Sequence, residues 1–137
     1  MLVFVYGTLK KGYSNHHVLG DSRFVGPATT NVHYKMLDAG FPVLMDPVDG
    51  DKAYQVEGEV YEVDRTILAD LDRLEGKGRM YDRVRKYVTL NGRAERVNYY
   101  VGLPAFWDRQ GCMHYYPTED ERLNWPQGKP AFVREAV

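Results

Sequence analysis

One stretch of this sequence repeats its apolar residues at helical spacing over about two turns, and strand and turn signals flank it on both sides. Ile67, Leu68, Leu71 and Leu74 fall at i, i+1, i+4 and i+7, the stripe of an amphipathic helix. Asp64 supplies an N-cap and Gly76 a stop, which predicts a helix over Asp64 to Glu75. Elsewhere strands are favoured. Leu2 to Tyr6 is continuously apolar and rich in β-branched and aromatic residues, as suits a strand buried on both faces, and it breaks at Gly7. Ser14 or Asn15 could cap a short helix through Val18 and Leu19 that stops at Gly20. Phe24 to Gly26 and Val32 to Leu37 read as strands split by Pro27. Tyr54 to Val63 carries Val56, Gly58 and Val60 on one alternation and Glu57, Glu59 and Tyr61 on the other, a half-exposed strand.

Asp82 to Leu90 and Glu95 to Val101 flank Asn91-Gly92, the clearest hairpin signal in the chain. Two registers compete. A two-residue loop sets Val88 opposite Glu95. A four-residue loop over Asn91 to Ala94 sets Val88 opposite Val97 and Val84 opposite Val101, and it is preferred because register follows the buried face. From Gly102 onward, Phe106, Trp107, Tyr115, Tyr116, Trp125 and Phe132 stand among prolines with little periodicity. So many aromatics are costly to leave in water, which predicts an irregular, aromatic-rich tail over 102–137 packed on the sheet. The expected fold is α+β: a small, mainly antiparallel β-barrel with one main helix and short flanking helices, a single domain over residues 1–137.

Charge and cysteine usage narrow the setting. Eighteen Lys and Arg against nineteen Asp and Glu give a formal net charge of -1, so no global excess draws the chain to nucleic acid or an anionic membrane. The single cysteine, Cys112, cannot close a disulfide within the chain, and the N-terminal apolar run is too short for a signal h-region or a membrane span. A cytoplasmic protein is expected, with a monomer the default for a near-neutral closed barrel. His16, His17, His33 and His114 are scattered without ligand-like spacing, so no metal site is expected. The basic stretch from Arg73 to Arg96, with Tyr81, Tyr87 and Tyr99, reads as a single-strand nucleic-acid groove or, more commonly, as a solvated hairpin face.

Two places invite chemistry. At about 100° per residue, the centre of the apolar stripe lies roughly 30° from Ile67 and Glu75 lies roughly 80° from it, on the core-facing side. By the same count Asp72 and Arg73 belong to solvent. A carboxylate there also opposes the helix dipole, so location and dipole should both raise its pKa toward neutrality, as a general acid/base requires. The alternative is a frayed last-turn surface residue. At Tyr6-Gly7-Thr8-Leu9, a buried strand that breaks at glycine can turn several backbone N–H groups outward, a cradle for a carboxylate or an oxyanion. The alternative is an ordinary strand-to-loop transition.

The chain carries, in order, Phe4-Val5-Tyr6-Gly7-Thr8-Leu9-Lys10-Lys11-Gly12, Asn15-His16, Phe24-Val25-Gly26, Phe41-Pro42-Val43, Val56-Glu57-Gly58-Glu59-Val60-Tyr61, Leu71-Asp72-Arg73-Leu74-Glu75-Gly76 and Tyr81-Asp82-Arg83. This series resembles the γ-glutamylcyclotransferase-like family, most closely its γ-glutamylamine cyclotransferase branch, as far as the predicted hairpin. The resemblance implies a small β-barrel with flanking helices. It implies a γ-glutamyl group bound beside Tyr6, Gly7, Thr8 and Leu9, with Glu75 as general acid/base. The reaction it implies is attack of the substrate's own α-amine on its γ-carbonyl, closing 5-oxoproline and expelling the amine. No metal or cofactor is implied. Tyr81 and Arg83 become candidates for supporting the pocket, or equally a structural hydrogen-bonding pair. Where many relatives place an aromatic before the acid this chain has Leu74, which should cause a modest repacking. The other readings on this fold are removal of a γ-glutamyl protecting group from a biosynthetic intermediate and a non-catalytic module for a small ligand or partner.

Overall fold

In the computed structural model, which describes residues 1–117 and 122–126, the first strand, β1 (Leu2–Val5), is buried on both faces, as its unbroken apolar run predicts. Val3 and Val5 point into one hydrophobic cluster, and Phe4 and the following Tyr6 into the other. The remaining elements are β2 (Arg23–Thr30), β3 (Lys35–Asp38), β4 (Pro42–Met45), β5 (Gln55–Glu62), α1 (Arg65–Glu75), β6 (Tyr81–Leu90), β7 (Arg93–Gly102), α2 (Pro104–Trp107), β8 (Met113–Tyr115) and β9 (Arg122–Leu123). A single 3-10 turn spans His16–Leu19.

The fold is α+β, built on a closed five-stranded barrel in the order β1-β7-β6-β2-β5, with β5 returning to β1. All its pairings are antiparallel except β1 with β7. A second sheet, β4-β3-β8, stands beside it. One cluster gathers Phe4, Val56, Val60, Val88, Val97 and Tyr99. The other packs Leu68 and Leu71 of α1 against Val3, Val5, Tyr61 and Val63. Among the described residues no helix is long and apolar enough to cross a membrane.

The hairpin corrects the preferred register. Leu90 pairs with Arg93 and Val88 with Glu95, so the loop is Asn91-Gly92 alone. A slip of two residues leaves every side chain on its original face, and burial therefore cannot choose between the two alignments. Turn chemistry chooses instead: Asn91 at φ 51° and Gly92 at φ 75° are both left-handed, the turn whose twist matches the strands it joins. Tyr81 and Tyr99 are buried in the cores, which leaves Tyr87 as the exposed ring of the three in this basic stretch.

Pro27 does not split a strand. β2 runs through it, and because the β6 pairing begins only at Ala28, Pro27 has a ladder partner on β5 alone. Val32 lies outside β3, which begins at Lys35 after Tyr34 bridges to Tyr54. The segment beyond Gly102 is less irregular than its composition suggests. α2 follows β7, β8 pairs with β3, and β9 extends β5 in parallel at Gln55 and Val56. Tyr115 and Trp125 enter the first cluster, while Phe132 lies outside the described residues.

Gly58 fixes how closely β1 and β5 approach. A Cβ there would sit 2.3 Å from the Val5 carbonyl oxygen and 2.7 Å from the Phe4 ring. Since the colliding atom is backbone, Gly58→Ala is expected to destabilise the fold by about 3 kcal/mol, read as a lowered denaturant midpoint. An unchanged midpoint would show that the two strands can part at no cost.

Candidate active site

Glycine at the break after β1 is a steric necessity. A Cβ at Gly7 would meet Cγ of Pro42, the first residue of β4, at 2.5 Å, so a larger residue would push the loop away from that sheet. The chain then turns, with Lys10 N–H donating to Gly7 O at 3.0 Å, and each following residue is anchored separately. Asn15 donates from its backbone N–H to Thr8 O at 2.8 Å and from Nδ2 to Thr8 Oγ1 at 2.9 Å. His16 Nδ1 lies 2.9 Å from Leu9 O. Lys10, itself buried, donates from Nζ to Asn124 Oδ1 at 2.9 Å and to Trp125 O at 2.8 Å, and burial pushes its ammonium down to about 8. The N–H groups of Thr8 and Leu9 meet no partner among the described residues.

α1 supplies the acid. Asp64 caps the helix by accepting from Ile67 N–H at 2.8 Å. Gly76, at φ 63°, ends it, with Gly76 N–H to Arg73 O at 3.2 Å and Lys77 N–H to Asp72 O at 2.9 Å. The buried face of α1 is turned from its expected centre. Leu68 and Leu71 are buried and Ile67 half-buried, but Leu74 is 45% exposed, so it is not a core residue. The true centre lies roughly 80–90° from Ile67, on the Glu75 side. Glu75 therefore faces inward more directly than the apolar stripe indicates, and burial pushes its carboxyl up to about 7.

Asp72 is corrected with it. Rather than facing solvent, it accepts from Arg83 Nε at 2.9 Å and from Tyr100 OH at 2.6 Å. Tyr100 O in turn accepts from Tyr6 OH at 2.7 Å. The sequence hint was an acid one turn before Glu75 followed by an arginine on the next strand. Without a partner in view, periodicity placed Asp72 on the open face.

These elements enclose a narrow cavity of about 40 Å³. Tyr6, Gly7, Thr8 and Leu9 line it on one side, and Glu75 and Tyr81 on the other. Phe4, Val5, Phe41 and Pro42, which the sequence showed only as parts of a strand or of the family motifs, and Tyr100, which it did not single out, complete the wall. Arg83 does not line it and acts on it only through Asp72 and Tyr100. Tyr81 and Arg83 are also not a hydrogen-bonding pair, since Tyr81 OH points to Pro42 O at 3.4 Å. Burial raises the Tyr6 and Tyr81 hydroxyls well above their ordinary range, so both remain protonated. Glu75 is the lining residue whose proton is labile near neutral pH. Among the described residues no three His, Cys, Asp or Glu side chains gather as a metal site would need.

Comparison with known proteins places the chain in a family. The family model "Gamma-glutamyl cyclotransferase, AIG2-like" matches residues 3–125. The chain is 35% identical over 135 residues to γ-glutamylaminecyclotransferase C of Danio rerio, covering 87% of this chain and 88% of that one. It is 44% identical over 98 residues to γ-glutamylaminecyclotransferase of Bos taurus, covering 66% of this chain and 57% of the relative. A Drosophila melanogaster relative is 40% identical over 97 residues and covered over 60% of its length, so the chain spans about three fifths of these last two proteins. In structure it is similar to the crystal structure of an AIG2-like protein from Mus musculus, with a TM-score of 0.70, 26% identity and coverage of 94% and 97% of the two chains. With the family model matching nearly from end to end of the described residues, the chain belongs to the γ-glutamyl cyclotransferase, AIG2-like family.

Proposed function

We propose that the protein releases 5-oxoproline and a free amine from γ-glutamylamines, with Glu75 as the group that moves protons. The observation that carries this reading is a single carboxyl, raised to about 7 by burial, on the wall of a narrow cavity whose other side is a glycine turn with two N–H groups that have no partner among the described residues. Cyclisation asks little else of a protein. Nucleophile and electrophile are already tethered, and well-oriented intramolecular attack reaches effective molarities of about 10⁵–10⁸ M.

The steps follow from where the protons must go. The α-ammonium gives one proton to the Glu75 carboxylate, and the freed amine attacks the γ-carbonyl carbon to form the ring C–N bond. The oxyanion that develops is met by the Thr8 and Leu9 N–H groups. Glu75 then protonates the amide nitrogen of the leaving group, and the old C–N bond breaks. The ring nitrogen still carries an extra proton, which returns to Glu75 and passes to the departing amine. Tyr6 and Tyr100 shape the wall, and Asp72 with Arg83 holds Tyr100.

Mass-spectrometric detection of 5-oxoproline from a panel of γ-glutamylamines, γ-glutamyl amino acids and glutathione tests the reading. Tight binding without product would identify a non-catalytic module instead. Since the first step needs ionised Glu75, kcat/KM is expected to fall about tenfold per pH unit below a midpoint near pH 7. An acid limb near pH 4.5 would mean that the titrating group is not a carboxyl raised by burial.

A further inference from the structure

A second cleft, of about 320 Å³, adjoins the narrow cavity and shares Thr8, Phe41, Glu75 and Tyr81 with it. Resting on the cyclisation reading above, we propose that this cleft receives the arm of the leaving amine, and that Leu74, Phe41 and Met80 select an apolar arm over an anionic one.

Burial sets the direction. The residues that belong to the narrow cavity alone, among them Phe4, Val5 and Pro42, are buried, whereas Ser14, Gly40 and Leu74 of the second cleft are exposed. The first is a blind end and the second its mouth. Glu75 must reach the scissile nitrogen, and it borders both spaces, so the C–N bond that breaks lies at their junction. The γ-glutamyl head then occupies the blind end, and everything attached to the nitrogen lies in the mouth.

The mouth offers no cation to an anionic arm. Apart from Glu75 and the protonated Tyr81, its side chains are apolar or neutral: Phe41, Leu74 and Met80, with Ser14, Asn15 and Thr8. The cations nearby do not line it. Arg73 is paired with Asp70, the Arg79 guanidinium lies 5.1 Å from the centroid of the Phe106 ring, and Lys77 is exposed to solvent. A carboxylate on the arm would shed water with no cation lining the cleft to meet it, and would lie against Glu75. An apolar arm gains by covering Leu74, whose 45% exposure on an otherwise well-packed helix has no role in the core. The opposite wall is already in place: Trp107 meets the Phe41 ring at 5.9 Å and the Tyr81 ring at 5.8 Å, and its Nε1 donates to Met80 O at 2.8 Å.

The test compares γ-glutamyl derivatives of methylamine, butylamine, hexylamine and 6-aminohexanoate with wild type, Leu74→Ser and Leu74→Lys, in which the altered side chain is exposed enough to spare the fold. In wild type, kcat/KM is expected to rise about twofold per added methylene and to drop about tenfold when a carboxylate ends the arm. Leu74→Ser should lower the hexylamine-to-methylamine ratio about fivefold. Leu74→Lys should raise the 6-aminohexanoate-to-hexylamine ratio by about as much. Product formed at rates indifferent to the arm, or ratios that neither substitution moves, would overturn the assignment while leaving the cyclisation intact. No 5-oxoproline from any member would overturn the reaction and the assignment together.

Discussion

Glu75→Gln is expected to lower 5-oxoproline formation by about 10²–10⁴-fold and, at the same time, to stabilise the protein above pH 7. The loss of turnover follows because glutamine keeps the shape of the side chain but can neither take nor return a proton. The gain in stability follows from linkage. The Glu75 carboxyl has a folded-state pKa of about 7 against an ordinary 4.5, so between those values the folded chain binds a proton that the unfolded chain has lost. Its favourable contribution is complete below about pH 4.5 and is lost as pH rises through about 7, beyond which keeping the carboxylate ionised costs at most about 3 kcal/mol. Gln removes that cost. Thermal melts of the two proteins should therefore nearly coincide at pH 4 and separate by several degrees at pH 8, with the variant higher. A separation that does not change with pH would mean that Glu75 is not held in a desolvating site, and substantial turnover by the variant would remove it from the mechanism.

The second large effect lies far from Glu75 in sequence. Trp125 is 2% exposed and packs against Tyr115 with ring centroids 5.6 Å apart, while its carbonyl accepts from Lys10 Nζ and from Tyr13 OH at 2.7 Å. Trp125→Ala empties a tryptophan-sized volume from the first cluster and is expected to destabilise the fold by about 3–5 kcal/mol, measured by urea unfolding. Trp125→Phe should recover more than half of that loss. Because Lys10 directly follows Leu9, the alanine variant should also raise KM at a temperature where it remains folded. Loss of less than about 1 kcal/mol would show that the segment lies on the barrel without belonging to its core.

What could be read in advance followed the range of each interaction. The two-sided burial of β1 and the cap and stop of α1 are decided by residues a few positions apart, and the sequence displays them. The direction of Glu75 was legible because helical geometry converts position into angle. The same arithmetic misplaced Asp72 and Leu74, since the angle at which a helix rolls onto its support depends on partners such as Tyr100 and Arg83 that lie on other strands. The hairpin register was missed by trusting burial over Asn91-Gly92, although a two-residue slip leaves burial unchanged. The contribution of the segment after Gly102 was hidden for a further reason. β8 and β9 are three and two residues long, too short for any alternation, and they exist because β3 and β5 offer edges to them.

The anchors on the loop after β1 bear on when its disorder is removed. Fixing the backbone of one residue costs about 1–2 kcal/mol in conformational entropy, whether it happens on folding or on binding. Thr8, Leu9 and Lys10 are each tied by a different part of the chain, Asn15, His16 and the Asn124-Trp125 strand end. That entropy is surrendered during folding, so on the proposed function a small substrate would meet a turn already fixed, and its few contacts need not order it. Loosening any one anchor transfers part of the cost to the encounter with substrate, which is how residues that never touch the substrate come to govern how tightly it is held.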